Sequence, residues 1–125
     1  MPTSKKKSAP KALEKELYEK HFRVAIFGSA RIKKDDELYR TVSELAKQIA
    51  QNDIDVVTGG GPGLMEAANY GQQQAHNGNS HSIGLTIELP FEAKGNRHLD
   101  VKKHFRKFSN RLDHFMTLSN VIVVM

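Results

Sequence analysis

The sequence contains no cysteine and no tryptophan, and its longest uninterrupted apolar run is residues 121–125. Without cysteine, neither a disulfide framework nor a thiolate metal site can form. An apolar run of this length is far too short to span a bilayer, and the N-terminal residues lack the apolar segment of a signal peptide. We therefore expect a cytoplasmic protein with no membrane partner.

Charge is unevenly distributed. The chain has 19 Lys and Arg residues against 14 Asp and Glu, a net charge of +5, and residues 1–23 contribute most of the surplus. A second basic cluster lies within residues 94–114. It is compatible with a nucleic-acid patch, a site for an acidic small ligand or a solvated face. No nucleic-acid-binding motif accompanies it, so nucleic acid is not the expected partner, and a basic nucleic-acid-associated protein remains a minor alternative.

Apolar runs alternate with segments of helical periodicity along most of the chain. Residues 1–10 are polar and predicted to be disordered, and residues 11–21 are predicted to form a short helix, which makes 1–21 a basic tail. The domain proper is assigned to residues 22–125. Strands are predicted at 22–27, 54–57, 82–87 and 120–125. Helices are predicted from a cap at Asp35 or Asp36 to Asn52, over residues 64–77, and from a Ser109 cap to about residue 118. This order predicts an α/β fold with a parallel sheet covered by helices on both faces.

A glycine-rich segment, Thr-Gly-Gly-Gly-Pro-Gly at residues 58–63, follows the second predicted strand and precedes a helix. Backbone N–H groups at such a junction can approach an anion without hindrance from a Cβ atom. We therefore predict that Gly59, Gly60, Gly61 and Gly63 bind a phosphate group. Gly28 and Ser29 follow the first strand and should lie at the same edge of the sheet, so they are added to the substrate-binding set.

Other nucleotide-binding patterns are missing. The first turn lacks the Gly-x-Gly-x-x-Gly of a dinucleotide site, and the sequence contains no Gly-Lys-Ser/Thr of a P-loop. A mononucleotide or sugar phosphate fits the glycine segment better. The six histidines show no spacing typical of a metal site, so neither a metal nor a cofactor is predicted.

Three segments resemble the LOG family of lysine decarboxylase-like proteins. They are residues 58–69 (TGGGPGLMEAAN), 24–30 (VAIFGSA) and 108–115 (FSNRLDHF). The resemblance implies a Rossmann-like three-layer fold and the activity of a cytokinin riboside 5′-monophosphate phosphoribohydrolase, which cleaves an N-glycosidic bond to release a base and ribose 5-phosphate. It also implies that Arg111 is catalytic and that the ligand is a nucleoside 5′-monophosphate such as AMP. In relatives lysine often follows this arginine, whereas Leu112 follows here.

The family's second signature, Pro-Gly-Gly-x-Gly-Thr-x-x-Glu, normally follows a strand like residues 120–125 and is not in this sequence. We therefore expect a domain that is incomplete at its C-terminus, inactive as a hydrolase and associated into a homodimer or larger homo-oligomer. None of Glu66, Glu88 and Glu92 has the placement of the family's catalytic carboxylate. The main alternative is a nucleotide or molybdenum-cofactor binding or carrier module of the same fold.

Overall fold

A computed structural model describes residues 11–12, 21–76, 78–87 and 95–125. The predicted disordered tail lies outside the described residues, as does most of the predicted N-terminal helix. Lys11–Ala12 form a short strand, so the prediction that a helix begins at Lys11 is wrong.

The described chain forms a parallel sheet with helices on both faces, which confirms the predicted α/β fold. The strands are β1 (Lys11–Ala12), β2 (Arg23–Phe27), β3 (Asp55–Thr58), β4 (Ser82–Ile87), β5 (Val101–Phe105) and β6 (Val121–Val124). The helices are α1 (Glu37–Ala50), α2 (Leu64–Gln74) and α3 (Phe108–Leu118). The strand order is β1-β5-β4-β3-β2-β6, with every neighbouring pair parallel. None of the described helices is long and apolar enough to cross a membrane.

Two apolar clusters lie on opposite faces of the sheet. On one face, α1 and α2 pack on the strands, with Val42, Ala46 and Ala67 among the buried helix residues. On the other, Phe115 and Leu118 of α3 pack against strand residues. Because both faces of the central strands β2, β3 and β4 are covered, these strands are buried along almost their whole length instead of alternating between buried and exposed residues.

Most predicted element boundaries lie within a few residues of those observed. The predicted Asp36 cap of α1 is confirmed, since its side chain accepts a hydrogen bond from the Leu38 N–H at 2.8 Å. The predicted Ser109 cap of α3 is wrong. The helix begins at Phe108 with Lys107 at the N-cap position, because only two residues separate it from the end of β5.

Strand β5 was not predicted, whereas β6 lies within the predicted strand 120–125. The β5 sequence Val-Lys-Lys-His-Phe is buried only at its two ends. Because its centre is polar, it does not form the apolar run by which the other strands were predicted. Strand β6 has the composition of an interior strand but lies at the sheet edge beside β2, where Val121, Ile122 and Val124 are exposed.

Candidate ligand site at the carboxyl edge of the sheet

The carboxyl ends of β2 and β3 open into a cavity of about 220 Å³. Gly28 and Gly59, the residues that follow the two strands, form part of its wall. Helix α3 forms the opposite side, and Met65 of α2 also contributes. The remaining lining is largely apolar and aromatic: Ile26, Phe27, Phe108, Leu112 and Phe115. The predicted residues Gly28, Gly59 and Arg111 are therefore brought together, as ligand sites of parallel sheets require.

Arg111 provides the positive charge of the cavity. Its Nε donates a hydrogen bond to the Leu85 carbonyl at 2.6 Å and its Nη2 to the Gly59 carbonyl at 3.3 Å. Its Cζ lies 5.4 Å from the centroid of the Phe115 ring. A side chain at Gly59 would collide with Nη2, so the absence of a Cβ there makes room for the guanidinium.

The Arg111 guanidinium is half-buried and has capacity to bind an anion. Burial lowers the pKa of Arg111, but an arginine starts so far above neutrality that it stays charged. Two of its five N–H groups bond to carbonyls, which leaves three donors with no hydrogen bond to the described residues. Among the described residues, no carboxylate lies within ion-pair distance of it.

The glycine loop is held in a conformation that needs glycine at two positions. Gly60 and Gly63 have φ of +76° and +72°, in the left-handed region that residues with a Cβ avoid. A Cβ at Gly63 would also collide with the Ser29 carbonyl oxygen. That same carbonyl accepts the Leu64 N–H at 2.9 Å, so the loop is joined to the turn after β2.

The predicted phosphate-binding N–H groups are not equivalent. The Gly60 N–H donates to the Thr58 hydroxyl at 2.9 Å and is therefore engaged inside the protein. The N–H groups of Gly61, Gly63, Met65 and Glu66 make no hydrogen bond to the described part of the chain. They lie at the start of α2, where the helix dipole favours negative charge.

A buried polar network, which the sequence reasoning missed, supports this loop. Asn69 of α2 is fully buried. Its amide accepts from the Thr58 hydroxyl at 2.6 Å and donates to the Ser82 hydroxyl at 2.8 Å. Asn96 donates to the Asn69 side-chain oxygen at 3.1 Å and to the Gly61 carbonyl at 3.0 Å, while its N–H reaches the Gly60 carbonyl at 2.7 Å.

Ser29 and Glu66 lie at the same edge but not in the lining of the cavity. The Ser29 hydroxyl accepts the Arg31 N–H at 3.1 Å, which is a turn-capping arrangement. The Glu66 carboxylate lies 3.7 Å from Lys34 Nζ and 3.7 Å from His98 Nε2. It therefore has a cationic neighbour of its own in Lys34. Glu88 and Glu92 lie outside the described residues.

Comparison with solved structures supports the fold. The chain is similar to the protein TM1055 (24% identity, TM-score 0.70, 83% of this chain and 60% of that one). It is also similar to the Moco carrier protein from Chlamydomonas reinhardtii, with 23% identity and a TM-score of 0.67 over 84% of this chain and 62% of that one. A third similar structure is the molybdenum cofactor binding protein from the phototrophic bacterium Rippkaea orientalis. Its identity is 18% and its TM-score 0.66, over 84% of this chain and 62% of that one.

The chain thus spans about three fifths of the length of each of these structures, and at such identities the likeness concerns the fold. No curated protein matches the sequence significantly. Residues 21–105 match the sequence model of the SLOG cluster4 family. This range includes the glycine loop and the polar network that supports it. The chain belongs to the SLOG cluster4 family.

Proposed function

We propose that this chain binds a nucleoside 5′-monophosphate or a similar phosphorylated small molecule in the cavity at the carboxyl edge of the sheet. The observation that carries the proposal is Arg111. It is a half-buried cation that lines the cavity, and no described carboxylate lies within ion-pair distance. A buried charge is costly unless it is paired. An anionic ligand would supply the missing partner.

The glycine loop is proposed to bind the same ligand. The N–H groups of Gly61, Gly63, Met65 and Glu66 have no partner in the described chain, and Met65 lines the cavity. A phosphate near these groups would accept hydrogen bonds at a helix N-terminus, where its charge is also favoured by the helix dipole. The loop and Arg111 would then contact the anionic end of the ligand.

The apolar part of the cavity suits an aromatic ring system. Phe27 and Phe115 pack edge to face with ring centroids 5.0 Å apart, and Phe108 lies on the same side with most of its surface exposed. Aromatic side chains bind planar rings through stacked and edge contacts. A base linked to a phosphorylated ribose combines the two features that the cavity provides.

We propose that this chain binds the nucleotide without measurably hydrolysing its N-glycosidic bond. Hydrolysis of the N-glycosidic bond would add water at C1′ of the ribose and release the free base and ribose 5-phosphate. Its transition state resembles an oxocarbenium ion, and a carboxylate is normally needed to stabilise it or to orient the water. Within the described ranges no Asp or Glu lines the cavity, so Arg111 lacks such a partner there.

A second candidate function is binding of a molybdenum-cofactor-type ligand. Two of the similar structures are proteins that carry or bind this cofactor. A phosphorylated pterin combines an anion with a planar ring system, so the same cavity and the same arginine would be used. The two candidates therefore differ in the ring that the ligand carries.

Calorimetric titration with AMP, ribose 5-phosphate and adenosine tests the proposal. AMP should bind more tightly than adenosine, since only AMP carries the phosphate. Arg111→Ala should weaken AMP binding by about 10- to 100-fold, the value of one hydrogen bond to a charged group. The matched control is Arg40→Ala, at an exposed position of α1, which should change the affinity less than twofold.

The results that would contradict the proposal are equally specific. Equal affinity for AMP and adenosine would exclude a phosphate site, and unchanged affinity in folded Arg111→Ala would exclude Arg111. Chromatographic analysis of the same mixtures reports any release of adenine. A reduced pterin phosphate that binds when AMP does not would favour the second candidate.

A further inference from the structure

A second polar cluster lies at the opposite, amino edge of the sheet. His21 precedes β2, Asp55 begins β3 and His81 precedes β4. These three strands are adjacent and parallel, with Arg23 paired to Asp55 and Val56 paired to Ser82. Their starting residues therefore meet, although they are far apart in the sequence. None of these three residues lines the cavity at the carboxyl edge.

The three side chains converge on the Asp55 carboxylate. His21 Nδ1 lies 3.0 Å from both carboxylate oxygens, and His81 Nδ1 lies 3.9 Å from Oδ1. One ligand atom from each residue falls within 4.8 Å of the others. The two imidazole rings are stacked, with centroids 5.4 Å apart and an angle of 21° between their planes.

We propose that His21, Asp55 and His81 form a binding site for a divalent transition-metal ion of the zinc type. With metal–ligand bonds of about 2.0–2.2 Å, neighbouring ligand atoms around a tetrahedral ion are about 3.3 Å apart. The observed separations of 3.0 and 3.9 Å lie on either side of this value. The ligand atoms of the two histidines lie at most 4.8 Å apart, so bringing them closer by up to about 1.5 Å would place all three atoms in such a shell.

The chemistry of the donors selects the class of ion. Imidazole nitrogen suits Zn²⁺, Co²⁺ and Ni²⁺, whereas Mg²⁺ and Ca²⁺ prefer shells made of oxygen. The Asp55 side chain is fully buried, while those of His21 and His81 are 25% and 15% exposed. A metal could therefore enter from the histidine side, and water could complete its coordination there. Orientation of the carboxylate is already set, because its Oδ1 accepts the His81 N–H at 2.7 Å.

Arg23 provides a test that distinguishes a metal site from a charge pair within the protein. Its Nε lies 3.3 Å from Asp55 Oδ2, so a bound dication would be close to a guanidinium and repelled by it. Removing this charge should strengthen metal binding. A cluster that serves only to pair charges within the protein would not acquire metal affinity when Arg23 is replaced.

Bound metal would join the starts of three adjacent strands. Because an ion that binds only the folded state stabilises it by mass action, the melting temperature should rise with zinc concentration. This role is independent of ligand binding at the carboxyl edge, and neither proposal depends on the other.

The test is zinc titration of the untagged full chain by calorimetry, with Co²⁺ absorption spectra as a second probe of coordination. One ion should bind per chain. His21→Gln and His81→Gln should each weaken zinc binding by at least about tenfold, because loss of even an outer-shell partner costs about 10- to 100-fold in affinity, and should reduce the visible Co²⁺ bands. Arg23→Gln should bind zinc at least about threefold more tightly, because a nearby like charge is removed.

The matched control is His76→Asn, at an exposed histidine with φ of 54°, a conformation that asparagine tolerates. It should leave zinc affinity unchanged. Far-UV circular dichroism establishes which variants are folded, and His21, the more exposed ligand, offers a replacement that disturbs the core least. Absence of one-to-one zinc binding by the unmodified chain, or unchanged affinity in folded His21→Gln, would overturn the proposal.

Discussion

Replacement of Asn69 by alanine should destabilise the protein more than any ordinary surface substitution. Asn69 lies on α2, six residues after the last glycine of the loop, and is fully buried. Its side chain bonds to Thr58 at the end of β3, to Ser82 at the start of β4 and to Asn96 in the loop before β5. One amide therefore connects a helix, two strands and a loop.

The size of the effect follows from the partners that would be left. Thr58 and Ser82 are both fully buried, so neither hydroxyl can replace its lost hydrogen bond to the amide with one to bulk water. Each keeps another bond, since the Thr58 hydroxyl still accepts the Gly60 N–H and the Ser82 hydroxyl still reaches the His98 carbonyl. Loss of a buried hydrogen bond with its partner retained costs about 1–3 kcal/mol. For two such partners, we expect a total of about 3 kcal/mol.

Urea unfolding followed by far-UV circular dichroism measures this quantity directly. A loss of about 3 kcal/mol corresponds to a fall in melting temperature of roughly 10 °C for a chain of this size. The control is Asn110→Ala, at an exposed position of α3, where the change should remain within about 0.5 kcal/mol. If Asn69→Ala is as stable as the control, the buried network does not support the glycine loop and the reasoning fails.

Three further predictions concern the loop, a buried tyrosine and the exposed edge. Gly63→Ala should lower the free energy of unfolding by at least about 2 kcal/mol, because Gly63 has a positive φ and a Cβ there would collide with the Ser29 carbonyl. Gly61→Ala should cost less, since its Cβ would meet only the Met65 side chain. Equal stability of the two variants in urea would contradict this prediction. Burial, with a contribution from the charge of Glu66, raises the pKa of Tyr39 from 10.0 to about 12. The unfolded chain thus loses this proton first, and stability should fall as pH rises between these values; denaturant titrations of Tyr39→Phe should show a smaller fall. Strand β6 should promote the homodimer expected from the sequence, and light scattering should show less association in Val124→Lys, while a monomeric unmodified chain would refute the prediction.

The fold was largely predictable because its main signals are local. Each central strand is a short apolar run followed by glycine or a polar turn, and α1 carries apolar residues at helical spacing with Asp36 as its cap. Strand β5 was missed because it lies near the edge of the sheet, beside the two-residue β1, where only its first and last residues are buried. An apolar run is typical of strands covered on both faces, and β5 is not such a strand. Strand β6 has such a run although it lies at the edge of the described sheet.

The site was only partly predictable. Gly28, Gly59 and Arg111 could be placed together because glycine turns follow parallel strands and the family resemblance pointed to the arginine. Asn69 and Asn96 could not, since an asparagine in a helix or loop has the sequence signature of a surface residue. Only the assembled structure shows that the Asn69 side chain replaces apolar packing with hydrogen bonds in the interior. Its position within residues 58–69, beside the glycines, was the one available signal.

The His21, Asp55 and His81 cluster was hidden for a different reason. Sequence reasoning about parallel sheets looks at the carboxyl ends of strands, where ligands usually bind. The same parallel register also brings together the residues at the amino ends. Here the register is fixed by the Asp55 N–H, which donates to the Phe22 carbonyl at 2.9 Å. A slip of one residue in β3 would turn Asp55 to the other face of the sheet and separate it from both histidines. The register that brings Gly28 and Gly59 to the cavity at one edge therefore also creates the cluster at the other, and spacing within the sequence shows neither.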